Sequence, residues 1–297
     1  MQKKINTFIA DAVFNKEGEE PIEFYLTSLQ NLYRRKLVPS IHRPHKLGFN
    51  AIFIVTKGKG IHTVDFVPYS YRTGTVFFIA KDQVHTFKTS PDSDGYLLAF
   101  TDTFFNRLIV NKNLNILYEI FDYIYYSAKI QLDERIYEDV LKLTQVLEKE
   151  YSIEMDSFKE LILGPLLQVL ILKLSRERLS QKLPLEGKEK FLYLQFKKLS
   201  LEHNYTLHVN DYAKMLNVSS KTLTNMCNKY FGKSTKKYLD EHLILQIKRF
   251  LLNESLTIEN IADKLCFDES TNMVKFFKRY EGLTPSQFTK EHSEHSF

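Results

Sequence analysis

The spacing of apolar residues changes character along the chain. Up to about residue 110, the β-branched and aromatic runs "NAIFIVTKGKGIHTVDF", "GTVFFIAKDQVHTF" and "GYLLAFT" alternate with turn chemistry at Lys81-Asp82 and Pro91-Asp92-Ser93-Asp94-Gly95. Such runs predict short strands. Lys57-Gly58-Lys59-Gly60 is expected to turn the first run back on itself as a hairpin. Several short strands at this spacing predict a small antiparallel barrel or sandwich. After Asp102 the period becomes helical, with Ile136, Val140, Leu143, Val146 and Leu147 on one face. Residues 158–179 are apolar nearly all round, which predicts a helix buried within a domain or against another chain. The polar stretch "SRERLSQKLPLEGKEK", with Pro184 and Gly187, reads as a linker, and everything beyond it has a helical period.

The helical C-terminal part says the same thing twice. Ala213, Leu216 and Val218 match Ala262, Leu265 and Phe267 at an offset of 49; Leu223, Cys227 and Gly232 match Met273, Phe277 and Gly282 at an offset of 50. The second copy therefore has a connector one residue longer. Each copy predicts a short helix whose small Ala permits close crossing, a tight turn, and a second helix. The apolar face of that second helix is Leu223, Met226, Cys227 and Tyr230, or Met273, Phe276, Phe277 and Tyr280. That pattern is a helix-turn-helix. Asn217 is expected left-handed at the end of the first helix, and Ser219 caps the next. Thr284-Pro285-Ser286-Gln287 is a capping box opening a last helix. Leu239, Leu243, Ile247, Phe250 and Leu251 make an apolar stripe on a helix joining the copies.

Bulk numbers narrow the class. With 297 residues, 43% hydrophobic and 26% charged, the chain has the composition of a folded protein of roughly two domains. Its two cysteines, Cys227 and Cys266, lie in different copies with no CxxC pairing, which points to a reducing compartment and away from disulfides or structural zinc. The first residues lack a long apolar run, and "LILGPLLQVLILKL" is too interrupted to span a membrane, so a cytoplasmic protein without membrane association is expected. A net charge of +5 does not by itself signal nucleic acid. Its distribution does: residues 219–237 carry Lys221, Lys229, Lys233, Lys236 and Lys237 without an acid, and residues 270–280 carry Lys275, Lys278 and Arg279 likewise.

The outward positions predicted on the two recognition helices are Ser220, Lys221, Thr224, Asn225 and Asn228, then Ser270, Thr271, Asn272, Lys275 and Lys278. Short polar side chains and amides reach base edges, whereas Lys holds phosphates. Two such units on one connecting helix suit successive major-groove segments ~34 Å apart. Double-stranded DNA is the expected partner.

"IENIADKLCFDES", "VKFFKRYEGLTPSQF" and the connecting "YLDEHLILQIKRFLL" resemble the DNA-binding domain of AraC/XylS-type transcription regulators over the C-terminal third of the chain. The resemblance implies base reading by Lys221, Thr224 and Asn225, then by Thr271, Asn272 and Lys275. The chain departs from the family pattern at Cys266, where a turn Gly is usual. It departs again at His242, in place of Arg on the connecting helix, and at Asn272-Met273, in place of an aromatic pair. The stretch "SIHRPHKLGFNAIFIVTKGKGIHTVDF" with "GTVFFIAKDQVHTF" resembles the cupin-like sensor domain that precedes many such domains. His42, His45, His62 and His85 match metal-binding histidines of enzymatic cupins. No Glu follows His45 at the usual spacing, the next acid being Asp65, so no metal or other cofactor is expected. His42, Arg43, His45 and His85 are the expected contacts of a small-molecule effector.

These readings combine into a two-domain α+β protein. Residues 1–115 form a cupin-like antiparallel barrel, 116–180 a helical dimerisation segment, 181–190 a linker, and 191–297 an all-α domain with two helix-turn-helix units. The function expected is a homodimeric, ligand-responsive activator of transcription and not an enzyme. The alternatives are a cupin-type metal-dependent enzyme with an accessory helical domain and a protein-interaction module. No Ser/His/Asp set, phosphate-binding Gly loop or paired carboxylate supports another enzymatic class.

Overall fold

The structure, a computed structural model, describes residues 23–34, 44–88, 92–108, 120–121, 127–154, 156–180, 187–252 and 256–294. It divides into two compact units, Met1–Leu183 and Pro184–Phe297.

The strands of the first unit are β1 (Phe24–Ser28), β2 (His45–Lys46), β3 (Asn50–Lys57), β4 (Lys59–Val64), β5 (Val67–Arg72), β6 (Thr75–Ile79), β7 (Val84–Lys88), β8 (Asp94–Phe100) and β9 (Lys129–Gln131). They form two antiparallel sheets, ordered β1-β8-β3-β6-β9 and β2-β7-β4-β5. The barrel expected from the sequence is thus a jelly-roll-like pair of sheets, not a closed cylinder, among the described residues. Strand β3 explains why its sequence is apolar without alternation. Ala51, Phe53 and Val55 enter the core between the sheets, while Ile52 and Ile54 enter a second core on the sheet's other face. A strand covered on both faces has no polar side to show.

The expected hairpin at residues 57–60 does not form. β3 pairs with β6 and β8, whereas β4 pairs with β5 and β7. Gly58 instead carries the chain from one sheet to the other at φ +90°, where an added Cβ would lie 2.5 Å from Ser93 Oγ. Alternation marks a strand but does not name its partner. The tight hairpin lies one strand later, at Asp65 and Phe66, both left-handed (φ 47° and 68°), with Val64 opposite Val67. Positive φ at both loop residues matches strand twist without the Gly that usually announces it.

Helices α1 (Leu29–Arg34), α2 (Asp102–Leu108), α3 (Glu134–Ser152) and α4 (Lys159–Leu179) complete this unit. β9 is a strand within the stretch expected to be helical; it pairs with β6 and extends the sheet. The all-round apolar character of α4 resolves into two faces. Leu163, Leu167, Leu170, Ile171 and Leu174 are buried in the core beside Val140 and Leu147 of α3. Leu161, Ile162, Val169 and Leu172 on the other side are exposed, as is Phe158 just before the helix.

The second unit is helical: α5 (Gly187–Glu202), α6 (Val209–Met215), α7 (Ser220–Phe231), α8 (Thr235–Leu251), α9 (Ile258–Lys264), α10 (Ser270–Glu281) and α11 (Pro285–Glu294). Residues 187–190 of the expected linker are the first turn of α5; residues 181–186 lie outside the described residues. Leu239, Leu243, Ile247 and Leu251 of α8 are buried as the stripe predicts, with Phe250 half-buried at its edge.

Candidate nucleic-acid interface

The duplicated pattern folds twice by the same local chemistry. The amide of Val218 donates to Ala213 O at 3.0 Å, and the amide of Phe267 donates to Ala262 O at 3.0 Å. These bonds close α6 and α9 through left-handed residues at equivalent places, Asn217 (φ 52°) and Cys266 (φ 53°). Such a bond needs the residue before it left-handed, which Asn tolerates and Cys does less readily. Ser219 Oγ accepts the Thr222 amide at 3.0 Å, capping α7. Its counterpart Glu269 caps α10 with no side-chain hydrogen bond. Gly232 and Gly282, left-handed at φ 66° and 75°, end the two recognition helices. Thr284 and Gln287 exchange the expected capping-box bonds: the Thr284 amide donates to Gln287 Oε1 and the Gln287 amide to Thr284 Oγ1.

Against the core, α7 buries Leu223, Met226 and Cys227, and α10 buries Met273 and Phe277. On the opposite side Lys221, Asn225 and Asn228 of α7 are exposed, as are Thr271, Asn272, Lys275 and Lys278 of α10. Ser220, Thr224 and Ser270 are only half-exposed. Ser220 Oγ donates to Asn210 Oδ1 at 2.6 Å, and Thr224 hydrogen-bonds Thr235 at 3.3 Å across to α8. Thr224 therefore faces packing as much as solvent, like its counterpart Val274. Thr271 is exposed but its hydroxyl donates to Glu269 Oε2 at 2.9 Å. Thr222 is exposed and was missed in the sequence. The signal was available, because the 50-residue offset pairs it with Asn272.

The acid-free windows in sequence are not acid-free in space. Lys229 meets Glu189 at 2.6 Å, Lys236 meets Asp240 at 3.1 Å, and Lys233 and Lys237 both reach Glu241. Tyr230 also donates to Glu189. Hydrogen bonds from Lys229 and then Tyr230 hold the Glu189 carboxyl below its ordinary range. Among the described residues, no ion pair engages Lys221, Lys275 or Lys278. Those three ammonium groups are available to phosphate. His242 lies against Tyr238 and Tyr205, with ring centroids 4.4 and 5.1 Å away. Desolvation, then the positive charges of Lys233, Arg249 and Lys197, push its imidazole down to about 3.

In the first unit, the expected effector contacts His42 and Arg43 lie outside the described residues. His45 of β2 stands opposite His85 of β7 in the strand register, their rings 4.2 Å apart. His62, not foreseen as a contact, places Nε2 3.1 Å from His85 Nδ1. Burial first, and the neighbouring His45 second, push the His62 imidazole down to about 3; burial likewise pushes His85 well below its ordinary value. A metal would need carboxylates or further ligands beside these rings. Among the described residues no group of three or more His, Cys, Asp or Glu could hold one.

Comparison with known proteins agrees with this geometry. Residues 37–110 match the family described as "AraC-like ligand binding domain", and residues 212–291 match "Helix-turn-helix domain". The Msm operon regulatory protein of Streptococcus mutans is 34% identical over 90 residues, which span 30% of this chain and 32% of that one. The HTH-type transcriptional activator RhaR of Cronobacter sakazakii is 22% identical over 267 residues, 89% of this chain and 92% of that one. Among solved structures, ToxT from Vibrio cholerae covers 90% of this chain and 98% of its own at 12% identity, with a TM-score of 0.44. Of the described residues, no helix is long and apolar enough to cross a membrane. With a ligand-binding domain of that family in front and a helix-turn-helix domain behind, the chain belongs to the AraC/XylS-type transcription regulators.

Proposed function

We propose that this chain is a sequence-specific, DNA-binding activator of transcription controlled by a small molecule bound in its first unit, working in the cytoplasm as a homodimer. One observation carries the reading. Equivalent helices of two helix-turn-helix units turn Lys221, Asn225, Asn228, Asn272, Lys275 and Lys278 outward with their side chains uncommitted. Asn amides match the paired donor and acceptor of adenine in the major groove, and Lys supplies the phosphate contacts that position the helix. Ser220, Thr224, Ser270 and Thr271, already engaged or half-covered, play supporting parts. The dimer contact would be the outer face of α4, where Phe158, Leu161, Ile162, Val169 and Leu172 recur at helical spacing without cover.

Selection of bound duplexes from a random pool, followed by mobility-shift titration over a salt series, tests this. A preferred duplex bound at least about a thousandfold more tightly than random DNA is expected, with affinity falling steeply as salt rises. Equal affinity for selected and random duplex would remove the reading.

A further inference from the structure

The first turn of a recognition helix is the part that reaches base edges in the major groove. On α7 that turn is Ser220, Lys221, Thr222 and Leu223. Leu223 is buried in the domain core. The Ser220 hydroxyl donates to Asn210 Oδ1 at 2.6 Å, and the residue is only half-exposed. Lys221 is exposed, and an ammonium on a long flexible stem suits a phosphate. Thr222 remains, short and exposed.

The two branches of Thr222 differ in what they are free to do. Ser219 Oγ accepts the Thr222 amide at 3.0 Å and lies 2.9 Å from Thr222 Oγ1. Whichever hydroxyl donates, the polar branch of Thr222 is drawn back to the cap at the head of α7. A β-branched side chain is stiff at χ1, so holding Oγ1 also holds Cγ2. The exposed residue therefore offers a methyl group. In the other unit Asn272 occupies this place, 50 residues on, and is exposed as well. There Glu269 engages the hydroxyl of Thr271, and position 272 offers an amide, the group that pairs with adenine.

The major groove presents a methyl group only on thymine, at C5. We infer that Thr222 reads a thymine, its methyl packing against the 5-methyl of that base while Ser219 holds its hydroxyl back. This rests on the proposed reading of α7 as a helix that enters the major groove. Thr222 and Asn225 are three positions apart and so are neighbours on one face of α7, ~4.5 Å apart along its axis. That is close to the ~3.4 Å rise of one base pair. The thymine lies at the base pair adjoining the adenine that Asn225 reads.

The test uses the full chain and the duplex it selects from a random pool. Each thymine of that duplex is replaced in turn by deoxyuridine, which lacks only the methyl group. At one position the replacement should weaken binding of the parent protein about three- to tenfold. Thr222→Ser keeps the hydroxyl and the cap, and should bind the thymine and deoxyuridine duplexes equally at that position. Thr222→Val keeps a methyl and drops the hydroxyl, and should retain the preference. No penalty at any position, penalties identical in the parent and Thr222→Ser, or loss of the preference in Thr222→Val overturns the proposal. The same titrations keep the two readings apart. A preferred duplex bound without regard to deoxyuridine sinks the role of Thr222 alone, whereas the absence of any preferred duplex sinks the regulator.

Discussion

The two helix-turn-helix units share a backbone but not a surface. At the 50-residue offset Asn225 becomes Lys275 and Asn228 becomes Lys278, so two amides on α7 are two ammonium groups on α10. The cap differs as well: Ser219 closes α7 with a neutral hydroxyl, while Asp268 and Glu269 place two carboxylates at the start of α10. An amide distinguishes bases, and an ammonium holds any phosphate. On the function proposed above, this difference would divide the labour at these two positions, with Asn225 and Asn228 of α7 reading bases and Lys275 and Lys278 of α10 holding phosphates.

Substitution at the equivalent pair tests that division most directly. Asn225→Ala should weaken binding to the preferred duplex by about 1–3 kcal/mol and relax the preference at one base pair. Lys275→Ala should weaken all duplexes alike and lower the salt slope by about one counterion. Mobility-shift titration of both variants on matched and mismatched duplexes, at two salt concentrations, measures each quantity. If Lys275→Ala changes base preference and Asn225→Ala does not, the assignment is reversed.

The contacts of α8, the helix that joins the units, also differ in kind. On the first side, His242 packs between Tyr205 and Tyr238. On the second, Lys248 meets Glu281 at 2.7 Å and Tyr280 donates to Asp240 at 2.5 Å, near the surface. His242 has a folded-state value of about 3 against an ordinary 6.5. It stays neutral in the fold while the unfolded chain takes up a proton below 6.5. Its contribution is therefore complete above pH 6.5 and is lost as pH falls from there toward 3. The slope is about 1.4 kcal/mol per pH unit. Protection of α8 amides against hydrogen exchange, corrected for intrinsic rate, should fall between pH 6.5 and 4.5. His242→Gln should remove about one proton's worth of that dependence; an unchanged slope in the variant would count against a neutral, enclosed imidazole.

What the sequence made legible follows the reach of each interaction. Asn217, Ser219 and Thr284 act on backbone within a few residues, and the structure places each as its local chemistry demands. Lys229 reads as free in sequence because its partner Glu189 lies on α5, 40 residues earlier. Lys236 and Lys237 meet Asp240 and Glu241 one turn further along α8, just past the acid-free window, and Lys233 reaches Glu241 as well. Gly58 looked like a hairpin because pairing partners in a sheet are chosen by the whole core, not by the flanking residues. His62 and His85 are 23 residues apart, and only the register of β4 on β7 brings them together. Thr224 reads as outward from its own helix, yet Val274 at the same place in the other copy marks that position as half-covered.

Cys266 provides a sharper contrast with Asn217, since both are left-handed at nearly the same φ. A side chain other than Gly, Asn or Asp in that conformation costs about 1 kcal/mol. Cys266→Gly should therefore raise stability by up to about that amount. Asn217→Gly should change it by only a few tenths, because Asn already tolerates the site. Denaturant unfolding of the two variants gives the comparison directly. Equal effects would mean that the neighbours of Cys266 relieve its strain.

The smallest effect concerns the acid at the head of α10. A carboxylate beside a helix N-terminus stabilises the helix by about 0.3–1 kcal/mol, but the same place is where DNA phosphate approaches a recognition helix. Glu269 also occupies the Thr271 hydroxyl. Glu269→Ser would give the second unit the cap of the first, exchanging a charge for a hydrogen bond of the kind Ser219 makes to Thr222. Those two changes oppose each other in stability, so unfolding should move little. DNA affinity should rise about two- to fivefold at low salt, with the gain shrinking as salt screens the charge. A gain that persists at high salt would point instead to the freed Thr271 hydroxyl making a contact of its own, and Thr271→Val in the Glu269→Ser background would then abolish it.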